Sequence, residues 1–127
     1  MEHYYRRYGG LVMVVDKLLE ELEKLGYPVF KQGSLTPDQP YPDHFFTYWN
    51  DSADGESFYS NNESAIIWNY SVNFYSVDEL LVTSKLMEAK VLLRQAGFIV
   101  AGAGHDLASD EPTHTGRGIT ALYRENV

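Results

Sequence analysis

Ala65-Ile66-Ile67-Trp68-Asn69-Tyr70-Ser71-Val72-Asn73-Phe74-Tyr75-Ser76 alternates with a period of two more cleanly than any other part of the chain. Ile66, Trp68, Tyr70, Val72 and Phe74 fall on one side, and Asn69, Ser71 and Asn73 fall on the other between Ile67 and Tyr75. That is the pattern of a long antiparallel strand with one face on a core and the other toward water or a partner. β-Branched and aromatic residues dominate the run, and its Asn and Ser residues interrupt any helical stripe. A sheet is expected to form around this strand.

Downstream, Ser76-Val77-Asp78-Glu79 has the form of a capping box, with Ser76 as N-cap and Glu79 reaching back. Val82, Leu86, Ala89, Leu93 and Ala96 then repeat at helical spacing, and Gly97 supplies a C-terminal cap. Phe98–Ala101 and Ile119–Tyr123 read as strands joined by a polar connection, His105 to Gly118. Upstream, His44–Asn50 is a strand with Phe45, Thr47 and Trp49 on one side and Phe46 and Tyr48 on the other. Asp51 to Glu63, rich in Asp, Asn, Ser and Gly, reads as a long polar hairpin connection. Gly33 to Asp43, with Pro37, Pro40 and Pro42, is a stiff loop after a short strand, Val29–Gln32.

Leu11, Val15, Leu18, Leu22 and Leu25 make the apolar stripe of a first helix, with Asp16, Lys17, Glu20, Glu21, Glu23 and Lys24 on its other face. Gly26 and Pro28 end it. The order α-β-β-β-α-β-β predicts an α+β domain: an antiparallel sheet of four to five strands with two helices on one face. A length of 127 residues suits one domain, with residues 1–10 as an N-terminal arm.

The hydrophobic fraction of 44% and charged fraction of 22% are those of a globular chain. Ten Tyr, six Phe and two Trp suit pleated surfaces and protein interfaces. A net charge of −8 argues against gripping nucleic acid, because phosphate neutralisation needs clustered Lys and Arg and the sole basic pair is Arg6-Arg7. The absence of cysteine removes disulfides, thiolate nucleophiles and cysteine-ligated metals. Asp16-Lys17 cuts short the apolar run after Gly9-Gly10, so no signal peptide is read there, and nothing approaches the roughly 18 apolar residues of a membrane span.

Catalytic chemistry finds little support. His105, Asp106, Asp110, Glu111 and His114 offer metal-binding groups, but their spacing matches no helical histidine pair, and a solvated loop of caps and turn formers is the simpler reading. No Gly-x-Ser-x-Gly elbow occurs. Gly102-Ala103-Gly104 and Gly116-Arg117-Gly118 open no helix and bring no Lys-Ser/Thr, so they read as turn formers rather than phosphate loops.

Three stretches carry a resemblance: Asp43-His44-Phe45-Phe46-Thr47-Tyr48-Trp49-Asn50, then Trp68 to Ser76, then Asp110-Glu111-Pro112-Thr113-His114-Thr115-Gly116-Arg117-Gly118-Ile119-Thr120. Together they resemble the small tail-terminator or tail-completion (head-tail joining) proteins of long-tailed phages and prophages of Gram-positive bacteria, over Leu18 to Leu122 by order of elements. The resemblance implies a structural subunit that assembles into a ring, commonly of six, between the tail-tube protein and the head connector. It implies no enzyme activity, no cofactor, no metal and no membrane, with assembly in the host cytoplasm and a final place in the virion tail.

Candidate contacts with a neighbouring subunit or partner are Tyr48 and Trp49 from the aromatic strand, Asn69, Ser71 and Asn73 from the polar row, and Thr113, His114 and Arg117 from the third stretch. Asn73→Lys is expected to leave the monomer folded and impair assembly. A monomeric acidic binding module, such as an immunity or nucleic-acid-mimic protein, is the alternative motivated by the net charge. A metal-dependent hydrolase built on His105, Asp106 and His114 is a third.

Overall fold

The computed structural model describes residues 13–36, 38–56 and 62–127. Its elements are α1 (Val14–Glu23), β1 (Val29–Lys31), β2 (His44–Glu56), β3 (Ala65–Ser76), α2 (Glu79–Gln95), β4 (His105–Leu107) and β5 (Thr115–Asn126). They form an α+β fold with a five-stranded sheet in the order β1-β2-β3-β5-β4. The alternating stretch is the middle strand. It pairs antiparallel along its whole length with β2 on one side and β5 on the other. Among the described residues no helix is long and apolar enough to cross a membrane.

Both helices pack on the Ile66-to-Phe74 face. Leu18 and Leu22 of α1 and Leu86, Ala89 and Leu93 of α2 are fully buried with Phe46, Val72, Phe74 and Ala121 in one core. Gly26 and Gly97 take left-handed backbone at the helix ends, with φ of 84° and 102°. Two acidic residues expected on the wet side of α1 are buried. Asp16 accepts the Met13 backbone N–H at 3.3 Å, and Glu21 is paired with Lys24 at 2.8 Å. A first turn leaves N–H groups without helical partners, which is why a carboxylate is drawn inward there. The expected Leu11 start of this helix, the arm 1–10, Pro37 and part of the 51–63 connection lie outside the described residues.

Other boundaries differ from expectation for physical reasons. β2 runs on to Glu56, because β3 keeps its alternation back to Ala65 and needs a partner there. A register shift between Asn50 and Ser52 admits the extra residue Asp51. The Asn50 amide bridges this bulge, donating to the carbonyls of Ser52 and Asn69. β1 is parallel to β2 rather than antiparallel, since the proline-bearing connection from Gln32 to Asp43 carries the chain back before it re-enters the sheet.

At the start of α2 the cap is Asp78, whose carboxylate accepts the Leu80 N–H at 3.0 Å. Ser76 instead accepts the Asp78 N–H and meets His44 Nδ1 at 2.7 Å. The expected strand Phe98–Ala101 is reduced to a single bridge, Ile99 to Leu122. Gly102 and Gly104 turn left-handed after it, and the chain rejoins the same edge as β4, inside the stretch expected to be a plain polar connection.

Candidate functional site

The second face of the sheet carries Phe45, Thr47 and Trp49 from β2, Asn69, Ser71, Asn73 and Tyr75 from β3, and Gly116, Gly118, Thr120 and Leu122 from β5, because side chains alternate and these residues are register partners. No helix covers it. It divides into a capped end and an open middle.

The capped end is aromatic. Phe45 stacks on Tyr75 with ring centroids 5.3 Å apart, and Phe30, Tyr41 and His114 meet the Phe45 ring edge-on at 6.0, 5.6 and 5.8 Å. Tyr41 comes from the proline-bearing loop and His114 from the β4–β5 connection. His114 Nε2 donates to the Pro42 carbonyl at 2.8 Å, and its Nδ1 lies 3.0 Å from the Thr113 hydroxyl. Two loops distant in sequence are thereby tied together over one phenyl ring. A cleft of about 230 Å³ opens beside them between Phe30, Leu35, Tyr41, Thr47 and Asp110. Burial pushes the Tyr75 phenol above its ordinary pKa, and the Asp110 carboxylate adds to this. Desolvation, Asp110 and Glu111 act on Tyr41 in the same direction.

Two glycines let this end close. A methyl group at Gly116 would meet the Tyr75 ring at 2.5 Å, and one at Gly118 would collide with the Asn73 side chain. Tyr75 and Asn73 thus lie flat across β5. Asn73 donates to Thr47 Oγ1 at 3.3 Å and is 6% exposed.

The open middle consists of two cross-strand rows. Trp49, Ser71 and Thr120 are partners across β2, β3 and β5, and the next row is Ser52, Asn69, Leu122 and Ile99. Trp49 is 45% and Ile99 62% exposed. The Lys31 ammonium stands 5.6 Å from the centre of the Trp49 ring, and Ser71 donates to the Asp51 carboxylate. Asn69 Oδ1 is buried at atom level and has no hydrogen-bond partner among the described residues. An amide oxygen in that state is worth about 1–3 kcal/mol of lost solvation until a donor reaches it.

Of the eight residues singled out in the sequence, Trp49, Asn69 and Ser71 come together in these rows. Asn73 is on the same face but too buried to offer a neighbour much surface, and a lysine there would have to bury its charge. Asn73→Lys is therefore expected to destabilise the fold, counter to the reading from sequence. Tyr48 points to the helix side, half-buried against the core. Thr113 and His114 belong to the aromatic cap. Arg117 is spent on its own loop, donating to the carbonyls of Ala103 and Gly104 and pairing with Asp106 at 2.7 Å.

Thr120, Leu122 and Ile99 were missed. The polar row was read from β3 alone, and only the register brings β5 and the 98–101 segment beside it.

The acidic and histidine residues of 105–114 do not converge. Asp106 faces Arg117, Asp110 faces Tyr41, and His114 faces Pro42. Among the described residues no group of three or more His, Asp or Glu side chains is placed to hold a metal ion. Carboxylates are spread over α1, the β2 extension, α2 and the loops rather than gathered on one face. The chain matches no protein-family model and no curated protein.

Proposed function

We propose that this chain is a structural subunit that assembles with copies of itself into a ring, and that the ring terminates a phage or prophage tail tube and joins it to the head connector. The observation that carries the reading is the second face, over whose middle no described helix packs and where Trp49 and Ile99 are exposed beside an Asn69 oxygen that no described residue partners. Water can solvate a polar sheet face indefinitely, but exposed tryptophan and isoleucine flanking an unmet buried acceptor are better served by a partner that brings apolar area and an N–H donor. A ring needs heterologous contacts, and the helix-covered and helix-free sides of this subunit differ in chemistry as such contacts require. The order of elements and the three quoted stretches give the tail assignment its support.

The test is sedimentation and electron microscopy of the chain with and without tail-tube protein. A ring is expected for the natural sequence. Trp49→Glu with Thr120→Lys, both at exposed positions, should leave thermal unfolding within about 0.5 kcal/mol of the parent and prevent the ring. A natural chain that stays monomeric beside tail-tube protein, or a double variant that still forms the ring, defeats the reading.

A further inference from the structure

The aromatic cap has an acidic rim. Asp38 and Asp43 from the proline-bearing loop, and Asp110 and Glu111 from the β4–β5 connection, surround Tyr41 on the two sides where clefts open. None of these four carboxylates forms an ion pair with a described residue. The rim is thus a negatively charged mouth beside the half-buried rings of Phe30, Tyr41 and Tyr75, chemistry that suits arginine together with aromatic rings.

The same chemistry is written once in the sequence, in Tyr4-Tyr5-Arg6-Arg7-Tyr8. Residues 1–12 hold two arginines and one glutamate, a net +1, so the rest of this −8 chain carries −9. Three of the ten tyrosines are in that segment.

We propose that the arm Met1–Gly10 of one copy docks in the acidic aromatic groove around Tyr41 of the next copy. Reach decides between copies. Lys17 Nζ meets the Tyr123 hydroxyl at 2.6 Å, and Tyr123 is the register partner of Trp68, so α1 starts at the Trp68 level of the sheet. Tyr27, just past the end of α1, packs on Phe74 and His44, so the helix runs toward the groove and Met13 is at the far end. From Trp68 to Tyr75 is about 23 Å of strand. Met13 stands one further helical turn away, about 5 Å. The groove is also on the face opposite α1, so the path must pass round a sheet edge. From Met13 back to Arg7 the chain spans at most about 21 Å. The arginines of a chain therefore fall short of its own groove, whereas those of a neighbour are under no such limit. The contact joins unlike surfaces head to tail, the kind that closes into a ring, and it deepens the self-assembly part of the reading above without depending on the tail.

A synthetic Met1–Gly10 peptide titrated into the full natural chain, followed by amide NMR, tests it. Shifts are expected at Phe45, Tyr75 and His114. The R6E/R7E peptide, or the peptide against the isosteric chain D38N/D110N/E111Q, should bind at least about tenfold more weakly. Absence of binding, or shifts confined to α1 as for an arm held on its own helix, overturns the proposal. A second measurement uses the cysteine-free background: chains carrying Y5C and S109C, mixed and oxidised, should yield the mixed disulfide dimer, and its absence counts against the contact. Peptide binding without any ring keeps the arm contact and removes the tail assembly reading. A ring indifferent to R6E/R7E does the reverse.

Discussion

Gly116 and Gly118 show how much one missing side chain can organise. Each leaves room on β5 for a β3 side chain to lie across it, Tyr75 over the first and Asn73 over the second. Gly116→Ala is expected to destabilise the fold by about 1–3 kcal/mol through displacement of the Tyr75 ring, measured by chemical denaturation. Phe45, 2% exposed and touched by four rings, should cost about 3–5 kcal/mol as Phe45→Ala. The phenols of Tyr75 and Tyr41 are both held above the unfolded value of 10.0. The folded state thus keeps its protons longer, and the associated stability is whole below pH 10 and falls as pH rises through the folded values. Tyr75→Phe should flatten part of that alkaline decline in a series of unfolding curves. The period of two in Ala65–Ser76 reveals which side chains share a face, but that Asn73 is roofed by its neighbours depends on glycines more than forty residues away.

At the scale of elements, the long periodic segments were legible. β3 has the bounds read from its alternation, and Val82, Leu86, Ala89 and Leu93 are all buried on α2. Short edge pieces were not. β4 has three residues, and its place is set by pairing with Gly116–Gly118 and by the left-handed Gly104 rather than by any pattern of its own. A methyl group at Gly104 would run into the Gly118 carbonyl. Gly104→Ala should therefore lift β4 off β5, seen as faster hydrogen exchange of the amides that bond β4 to β5, with little change at β2. The polar 51–56 segment became strand because its partner demanded pairing, a tertiary effect that local propensity cannot report.

At the scale of the whole molecule, the helices take one sheet face and the loops close one end of the other, so what the described residues leave to meet a partner is a band across three strands. The apolar side of that sheet was readable from sequence. The division of the opposite side into a capped end and an open middle was not, because it depends on where two loops land. The central strand has a further consequence, in time rather than space. β2 and β3 are joined locally, but the other edge of β3 waits for Thr115–Asn126, which follows α2 in the chain. During synthesis a twelve-residue strand rich in Ile, Trp, Tyr and Phe stands with one bare edge until the last strand arrives, the condition under which nascent chains pair with one another. A ribosome stalled before Thr115 should thus hold a product that chaperones bind and that aggregates when released.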